Sequence, residues 1–281
     1  MKKTTWVAVL IIIAIVVGVY FYLHSGDFYP HSGLHRSTTA VPAGATSAAA
    51  ASMSVAPAAI PEQPHYPVPT TPAAAQPANP APLPRLDNSD QPFIGALQGL
   101  THGQALDSFL VSKRLIRRIV VTVDDLGRHG PIPLRVRAVG AMPGTLATSG
   151  PRDDLVLDPS NAARYAGWVQ ALKGVDMHAT ARVYFHFYPL FQAAYRDLGF
   201  PHGYFNDRLV QVIDQLLAAP VPPPPIHLVQ PHVLYEFADP QLAALSAGQQ
   251  IMVRIGATNE AIVKAKLRQL RAAVIGGTPA P

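Results

Sequence analysis

An uncharged apolar run of eighteen residues, 6–23, lies near the start of the chain, and such a run must be buried in a membrane or in a protein core. As a helix rising 1.5 Å per residue it spans about 27 Å, close to the ~30 Å hydrocarbon layer of a bilayer. Lys2 and Lys3 precede the run, whereas the next basic residue after it is Arg36. The positive-inside rule therefore predicts one membrane helix over 6–23, with residues 1–5 in the cytoplasm.

A cleavable export signal is the alternative interpretation of this run. Signal peptides have an apolar stretch of roughly 7–15 residues that ends at small residues. This run is longer, and it ends in the bulky aromatic residues 20–22, which are typical of interface anchors. These features favour a retained anchor, with the rest of the chain outside the cytoplasm.

Residues 24–84 carry twelve of the 29 prolines, long Ala/Ser/Thr stretches and only three charged residues. A segment of this composition buries too little apolar surface to offset the entropy of ordering, so we predict a disordered Pro/Ala-rich linker. In a polyproline II conformation it would reach at most about 190 Å. It serves either as a spacer that lets the domain reach across a cell envelope or as a disordered linker whose length has no particular function.

Capping residues and apolar stripes predict a mainly α domain over 85–276, with seven to nine helices and little β structure, followed by a short tail over 277–281. The predicted helices are 89–97, 104–111, 113–127, 158–173, 176–198 with a kink at Pro189, 204–219, a short one from 239, 246–255 and 258–275. Residues 226–237 are predicted to form a strand pair or an irregular buried segment, and extended pieces are predicted at 133–139 and 155–157.

The chain has no cysteine, which excludes disulfides, thiolate metal sites and cysteine nucleophiles. Its net charge of +5 permits weak attraction to anionic surfaces. Nucleic acid is not an expected partner for a domain outside the cytoplasm. We also find no Gly-x-Ser-x-Gly elbow, Walker A motif or dinucleotide-binding glycine pattern, and we predict no cofactor.

Two groups of polar residues are candidate binding surfaces. The first is a basic face on helix 113–127, formed by Arg114, Arg117 and Arg118 beside Lys113, which suits an acidic partner or anionic lipid. Alternatively, it is a solvated face that pairs partly with Asp124 and Asp125. The second group opens helix 204–219 and consists of Tyr204, Asn206, Asp207 and Arg208.

Asn206 and Asp207 alternatively cap helix 204–219, while Arg208 pairs with Asp207 or with Glu236. If such an ion pair is buried, breaking it costs about 3–5 kcal/mol without implying catalysis. A metal site is a weaker hypothesis. His178 and His186 share a helix face but stand about 12 Å apart, too far to bind one ion.

Glu236 is the single candidate acid for a cell-wall (peptidoglycan) hydrolase, because Glu260 is expected at an exposed helix start. Glycan hydrolysis usually requires two carboxylates. The preferred hypothesis is therefore a non-enzymatic membrane-anchored domain that binds an envelope protein or a cell-wall polymer. The hydrolase using Glu236 is the alternative, and a scaffold that docks on lipid through its basic helix is a third possibility.

Four segments carry a more specific signal, namely residues 115–126, 204–209, 229–240 and 245–249. With the anchor-and-tether layout, they resemble an uncharacterised bacterial family of single-span envelope proteins whose domain has no known function. The resemblance covers residues 86–273. It implies a domain anchored in a bacterial inner membrane and exported to the periplasm, and it supplies no activity, substrate or catalytic residue.

Overall fold

The computed structural model describes residues 63–69, 82–101, 110–139 and 145–276. Within these ranges the chain forms nine α-helices and four strands of two or three residues, which confirms the prediction of a mainly α domain with little strand. The predicted membrane helix 6–23 lies outside the described residues. In the part of the chain that is described, no helix has the length and apolar character needed to cross a membrane.

Two pairs of strands interrupt the series of helices along the chain. The helices are α1 Asp90–Thr101, α2 Leu115–Leu126, α3 Asn161–Arg164, α4 Ala166–Lys173, α5 Met177–Asp197, α6 Phe205–Leu217, α7 Pro240–Ala243, α8 Ala247–Arg254 and α9 Ala257–Gly276. The strands are β1 Thr148–Ser149, β2 Leu155–Leu157, β3 His227–Val229 and β4 Glu236–Phe237. Short 3-10 helices occupy Leu86–Asn88 and Leu134–Val136.

Side-chain caps start three of the helices where the sequence predicts them. The Asp176 carboxylate accepts the N–H groups of residues 178 and 179 at the start of α5. Asp239 accepts the N–H of Gln241 before α7. Ser246 and Gln249 form a reciprocal capping box before α8. Each cap satisfies backbone donors that a helix leaves without an internal partner, which fixes the start of the helix.

Helix α5 is the centre of the main core. It continues through Pro189 over its 21 residues, and α1, α2 and α9 pack against it. Helix α6 packs against α2 and α9. The apolar stripe predicted for α2 is buried at each of its five positions: Leu115, Ile119, Val120, Val123 and Leu126. The main core is thus a helical layer in which α5 and α6 both contact α2 and α9.

The four strands form one antiparallel sheet in the order β1-β2-β3-β4. Thr148 pairs with Leu157, Leu155 with Leu228, and Leu228 with Phe237. The sheet covers a second, smaller core that includes Leu228, Phe237 and Val253 of α8. Of the two alternatives for 226–237, the strand pair is therefore the one confirmed, as β3 and β4.

Three helix predictions are wrong in detail. Leu110, expected at the end of a helix, instead forms a bridge with Val139. The predicted helix 158–173 is interrupted at Tyr165, whose side chain is buried. The last helix begins at Ala257, and Asn259 donates to the carbonyls of residues 162 and 255 instead of capping it. At Leu110 and Asn259, contacts with residues far away in the chain outweigh the local signal.

Glu260, expected to be exposed, is buried and pairs with Lys264 at 2.8 Å. Burial raises the pKa of Glu260, and the bond to Lys264 opposes that shift. Lys264 also donates to the carbonyl of Ala219, at the end of α6. The pair therefore links α9 to α6, and it is a structural contact within the core.

Candidate functional site

The turn between α5 and α6 is held in place by one buried amide, that of Gln192. Its Nε2 donates to the carbonyl of Gly203 at 2.7 Å, and its Oε1 accepts the N–H of Phe205 at 2.9 Å. The same Oε1 accepts a hydrogen bond from the Tyr188 hydroxyl at 3.0 Å. Since Gln192 lies on α5, the starting point of α6 is fixed by the middle of the longest helix.

Phe205, the first residue of α6, anchors this helix start in the core. Its ring stacks on Phe191 with 5.6 Å between centroids and an interplanar angle of 12°. Tyr184 and Tyr195 contact the same ring from other directions. Only 1% of Phe205 is exposed. The core therefore holds in place the helix start from which the next residues, Asn206 and Asp207, extend their side chains.

Asp207, in the first turn of α6, binds a segment from the region predicted as linker. Its Oδ2 accepts the N–H of His65 at 3.0 Å, and its Oδ1 accepts the N–H of Tyr66 at 2.8 Å. The backbone bends at these two residues, which lets two successive N–H groups reach one carboxylate. Residues 65 and 66 therefore have fixed contacts with the domain, although they lie within the linker predicted over 24–84; we call residues 63–69 the docked segment.

Asn206 completes the contact from inside the protein. It is 0% exposed, and its Nδ2 donates to the carbonyl of Tyr66 at 2.9 Å. The Tyr184 hydroxyl donates to Asn206 Oδ1 at 3.1 Å and so orients the amide. Burial raises the pKa of Tyr184 well above its ordinary value, and it raises the pKa of Tyr188 to about 12. The Tyr184 hydroxyl accordingly stays protonated and remains a donor at physiological pH.

A similar carboxylate contact occurs at the start of α2. Asp90, the first residue of α1, accepts the N–H groups of Arg114 and Leu115, both at 2.8 Å. Arg114 adopts a left-handed conformation there, with φ of 54°. At Asp90 the arrangement joins two helices of the domain, whereas at Asp207 it joins the domain to a proline-rich segment.

Two depressions flank the Tyr66 side chain on the surface of α6. One, of about 420 Å³, is lined by Tyr195, His202, Tyr204, Arg208 and Gln211, among others. The other, of about 490 Å³, is lined by Gln211, Asp214, Gln215 and Ala218 as well as Tyr66. Gln211 and Tyr66 line both. We refer to the two depressions together as the groove; Gln63 and His65, from the same segment as Tyr66, line the first of them.

Arg208 lines the first depression, but its hydrogen bonds are not to the partners expected from the sequence. Its Nε donates to Asp124 Oδ1 at 2.8 Å, and its Nη2 donates to the Asp124 carbonyl at 2.7 Å. The second oxygen of Asp124 pairs with Arg128 at 2.5 Å. The predicted pairing of Arg208 with Asp207 or Glu236 is therefore wrong, because Asp124 on α2 is the closer carboxylate.

The basic residues of α2 are engaged within the domain. Arg117 pairs with Asp197 at 2.6 Å and with Asp87 at 3.3 Å. Arg118 donates to backbone carbonyls of residues 113, 135 and 137. The expected pairing of this face with Asp124 and Asp125 is wrong for both arginines. Its charge is partly neutralised by the domain itself.

The chain matches the family described as Protein of unknown function (DUF3014) over residues 115–271, more than half of its length. The chain belongs to this family. The DUF3014 region runs from the start of α2 into α9, so it includes Asn206, Asp207 and Arg208. The docked residues 63–69 lie outside it. No match was found among curated proteins or solved structures.

Glu236, the candidate acid, lies within the DUF3014 region but away from the groove. It is exposed in strand β4 and lines a separate depression of about 200 Å³ with Tyr235 and Arg254. The hydrolase hypothesis needs this carboxyl in a desolvating cleft. Among the described residues, no three His, Asp or Glu side chains are arranged to hold a metal ion.

Sequence reasoning missed the docked segment, although one signal pointed to it. Tyr66 is the only Phe, Trp or Tyr between Tyr29 and Phe93. A lone aromatic residue in a proline-rich stretch marks a place where the segment can bury apolar surface. Tyr66 is indeed packed against the main core. The sequence predicted Asn206 and Asp207 as binding residues but could not name what they bind.

Proposed function

We propose that the chain is a non-enzymatic interaction protein whose domain binds a short peptide segment in the groove at the start of α6. It would be held in the bacterial inner membrane by a helix over 6–23, with the domain in the periplasm and an envelope protein as its partner. One observation carries the binding part of the proposal. Asp207 and Asn206 hold residues 65–66 by three hydrogen bonds to their backbone.

Backbone-directed contacts support a peptide-binding role because any peptide presents the same N–H and C=O groups. A carboxylate acceptor also strengthens such bonds relative to a neutral acceptor. The alternative surface, the basic face of α2, has weaker support because Arg117 and Arg118 already bind groups of the domain. The groove therefore remains the better candidate for a partner.

A peptide titration tests the binding site. The test uses the full chain in detergent with the substitutions His65→Pro and Tyr66→Ala, which we call the emptied variant. These substitutions remove one N–H donor and the aromatic ring from the docked segment. A fluorescent peptide with the sequence of residues 61–69 is expected to bind the emptied variant saturably, measured by anisotropy. Adding Asp207→Ala should weaken binding at least about tenfold, because two charge-assisted hydrogen bonds are lost.

The matched control adds Asp153→Ala to the emptied variant, since Asp153 is an exposed aspartate in the turn between β1 and β2. That variant should bind the peptide as the emptied variant does. Equal binding to the Asp207→Ala and Asp153→Ala variants would show that the peptide does not use this site. Absence of binding to all three would contradict the proposed function.

Membrane topology has its own test, made simple by the absence of native cysteine. Ala265→Cys places one thiol at an exposed position of α9, and Thr4→Cys places one before the apolar run. In spheroplasts, a membrane-impermeant maleimide is expected to label Ala265→Cys directly and Thr4→Cys only after lysis. The reverse pattern, or equal labelling before lysis, would contradict the proposed orientation.

A further inference from the structure

The register of the docked segment restricts which peptides this groove can take. Two consecutive N–H donors are needed for the Asp207 carboxylate, so neither of these positions can be proline. In the chain these positions are His65 and Tyr66, with Pro64 before and Pro67 after. A proline at position 67 also biases Tyr66 toward extended backbone, which limits the conformations that must be frozen on binding.

The position of Tyr66 requires a particular kind of side chain. His65 is exposed, and it lines only the first of the two depressions. Tyr66 is partly buried against the main core and lines both depressions along α6. An aromatic ring there supplies apolar contact with little loss of conformational entropy. The position of His65 should therefore accept many residue types, whereas the position of Tyr66 should require an aromatic side chain.

Domain residues other than Asn206 and Asp207 also line the two depressions. The depression on one side of Tyr66 reaches His202 and Tyr204, and that on the other reaches Gln215 and Ala218. The polar groups there include Gln211 and Asp214, of which Asp214 pairs with Arg271. A longer peptide in the same register would gain contacts in both depressions, and such contacts would let it compete with the chain's own segment.

We infer that the partner is a segment of another protein in which a residue other than proline is followed by an aromatic residue and a proline, bound in the register of residues 65–67 after displacing them. This inference rests on the proposed function and names the class of peptide. The chain's own segment is an intramolecular competitor, joined to the domain through residues 70–81. Short tethers give effective concentrations in the millimolar range, so a partner binds the wild-type chain more weakly than the emptied variant.

Four peptides test the pattern on the emptied variant, each with the sequence of residues 61–69 and one change. Replacing the histidine by alanine keeps the N–H, and binding should stay within about twofold. Replacing it by proline removes the N–H, and binding should weaken about tenfold or more. Replacing the tyrosine by phenylalanine should preserve binding, whereas alanine should weaken it about tenfold or more.

The outcomes separate this inference from the proposed function. If all four peptides and the parent bind equally, the pattern is wrong although a peptide site exists. If the parent peptide itself does not bind, the proposed function fails first. The wild-type chain should bind the parent peptide about tenfold more weakly than the emptied variant, and equal affinities would overturn the competition.

A second copy of the chain is the other possible occupant, since its residues 65–67 carry the same pattern. Light scattering of the full wild-type chain in detergent decides this point. A single species independent of concentration is expected, because the intramolecular segment has the higher effective concentration. A concentration-dependent dimer that disappears in the emptied variant would overturn the assignment of the site to another protein.

Discussion

Arg208→Ala is expected to lower the free energy of unfolding by about 3–5 kcal/mol, because it leaves a buried carboxylate with half of its partners. The Asp124 side chain is 5% exposed, and Arg208 donates both to its Oδ1 and to its backbone carbonyl. Arg128 remains on the other oxygen, but it is itself half-exposed. Urea unfolding followed by circular dichroism measures the change.

The matched control is Arg268→Ala, which truncates an exposed arginine on α9 and should change the unfolding free energy by less than about 0.5 kcal/mol. A double variant with Asp124→Asn is expected to lose less than the sum of the two single variants, since the charge that Arg208 compensates is gone. Additive losses would show that Arg208 stabilises the fold by some contact other than Asp124.

Phe205→Ala is expected to destabilise the protein by about 3–5 kcal/mol through the cavity it leaves. Phe205 is 1% exposed, and its ring contacts those of Phe191, Tyr184 and Tyr195. The loss should also loosen the docked segment, because Asn206 and Asp207 follow Phe205 directly. Denaturant unfolding gives the first effect, and hydrogen exchange at residues 65 and 66 gives the second.

Two further variants limit the interpretation of Phe205→Ala. Phe205→Leu keeps most of the volume and should cost less than about half as much. Val221→Ala removes apolar atoms from a residue that is 55% exposed, so its effect should stay within about 0.5 kcal/mol. A Phe205→Ala variant as stable as Val221→Ala would mean that the aromatic cluster is not a tightly packed part of the core.

The parts of the fold that sequence could predict are those that depend on near neighbours. The caps at Asp176, Asp239 and Ser246 act within three residues, and they are confirmed. The buried stripe of α2 follows from helical periodicity alone. Its confirmation at all five positions shows that the local pattern and the tertiary packing agree there.

The parts that sequence could not predict depend on pairs far apart in the chain. Arg208 and Asp124 are separated by 84 positions, and Tyr66 and Asp207 by 141. No periodicity or capping rule relates such residues, because the fold alone brings them together. The start of α6 could be identified as a polar site from its own residues, but its partners could not be named.

The docked segment changes where a stretching force would act on the molecule. A pull applied from the N-terminal end reaches the domain first at Tyr66, through hydrogen bonds to Asp207 and Asn206, and not at α1. Once these bonds part, the load passes along the chain to the residues that precede α1. Under tension the first event is therefore the release of a short segment, and the helical core is loaded only afterwards.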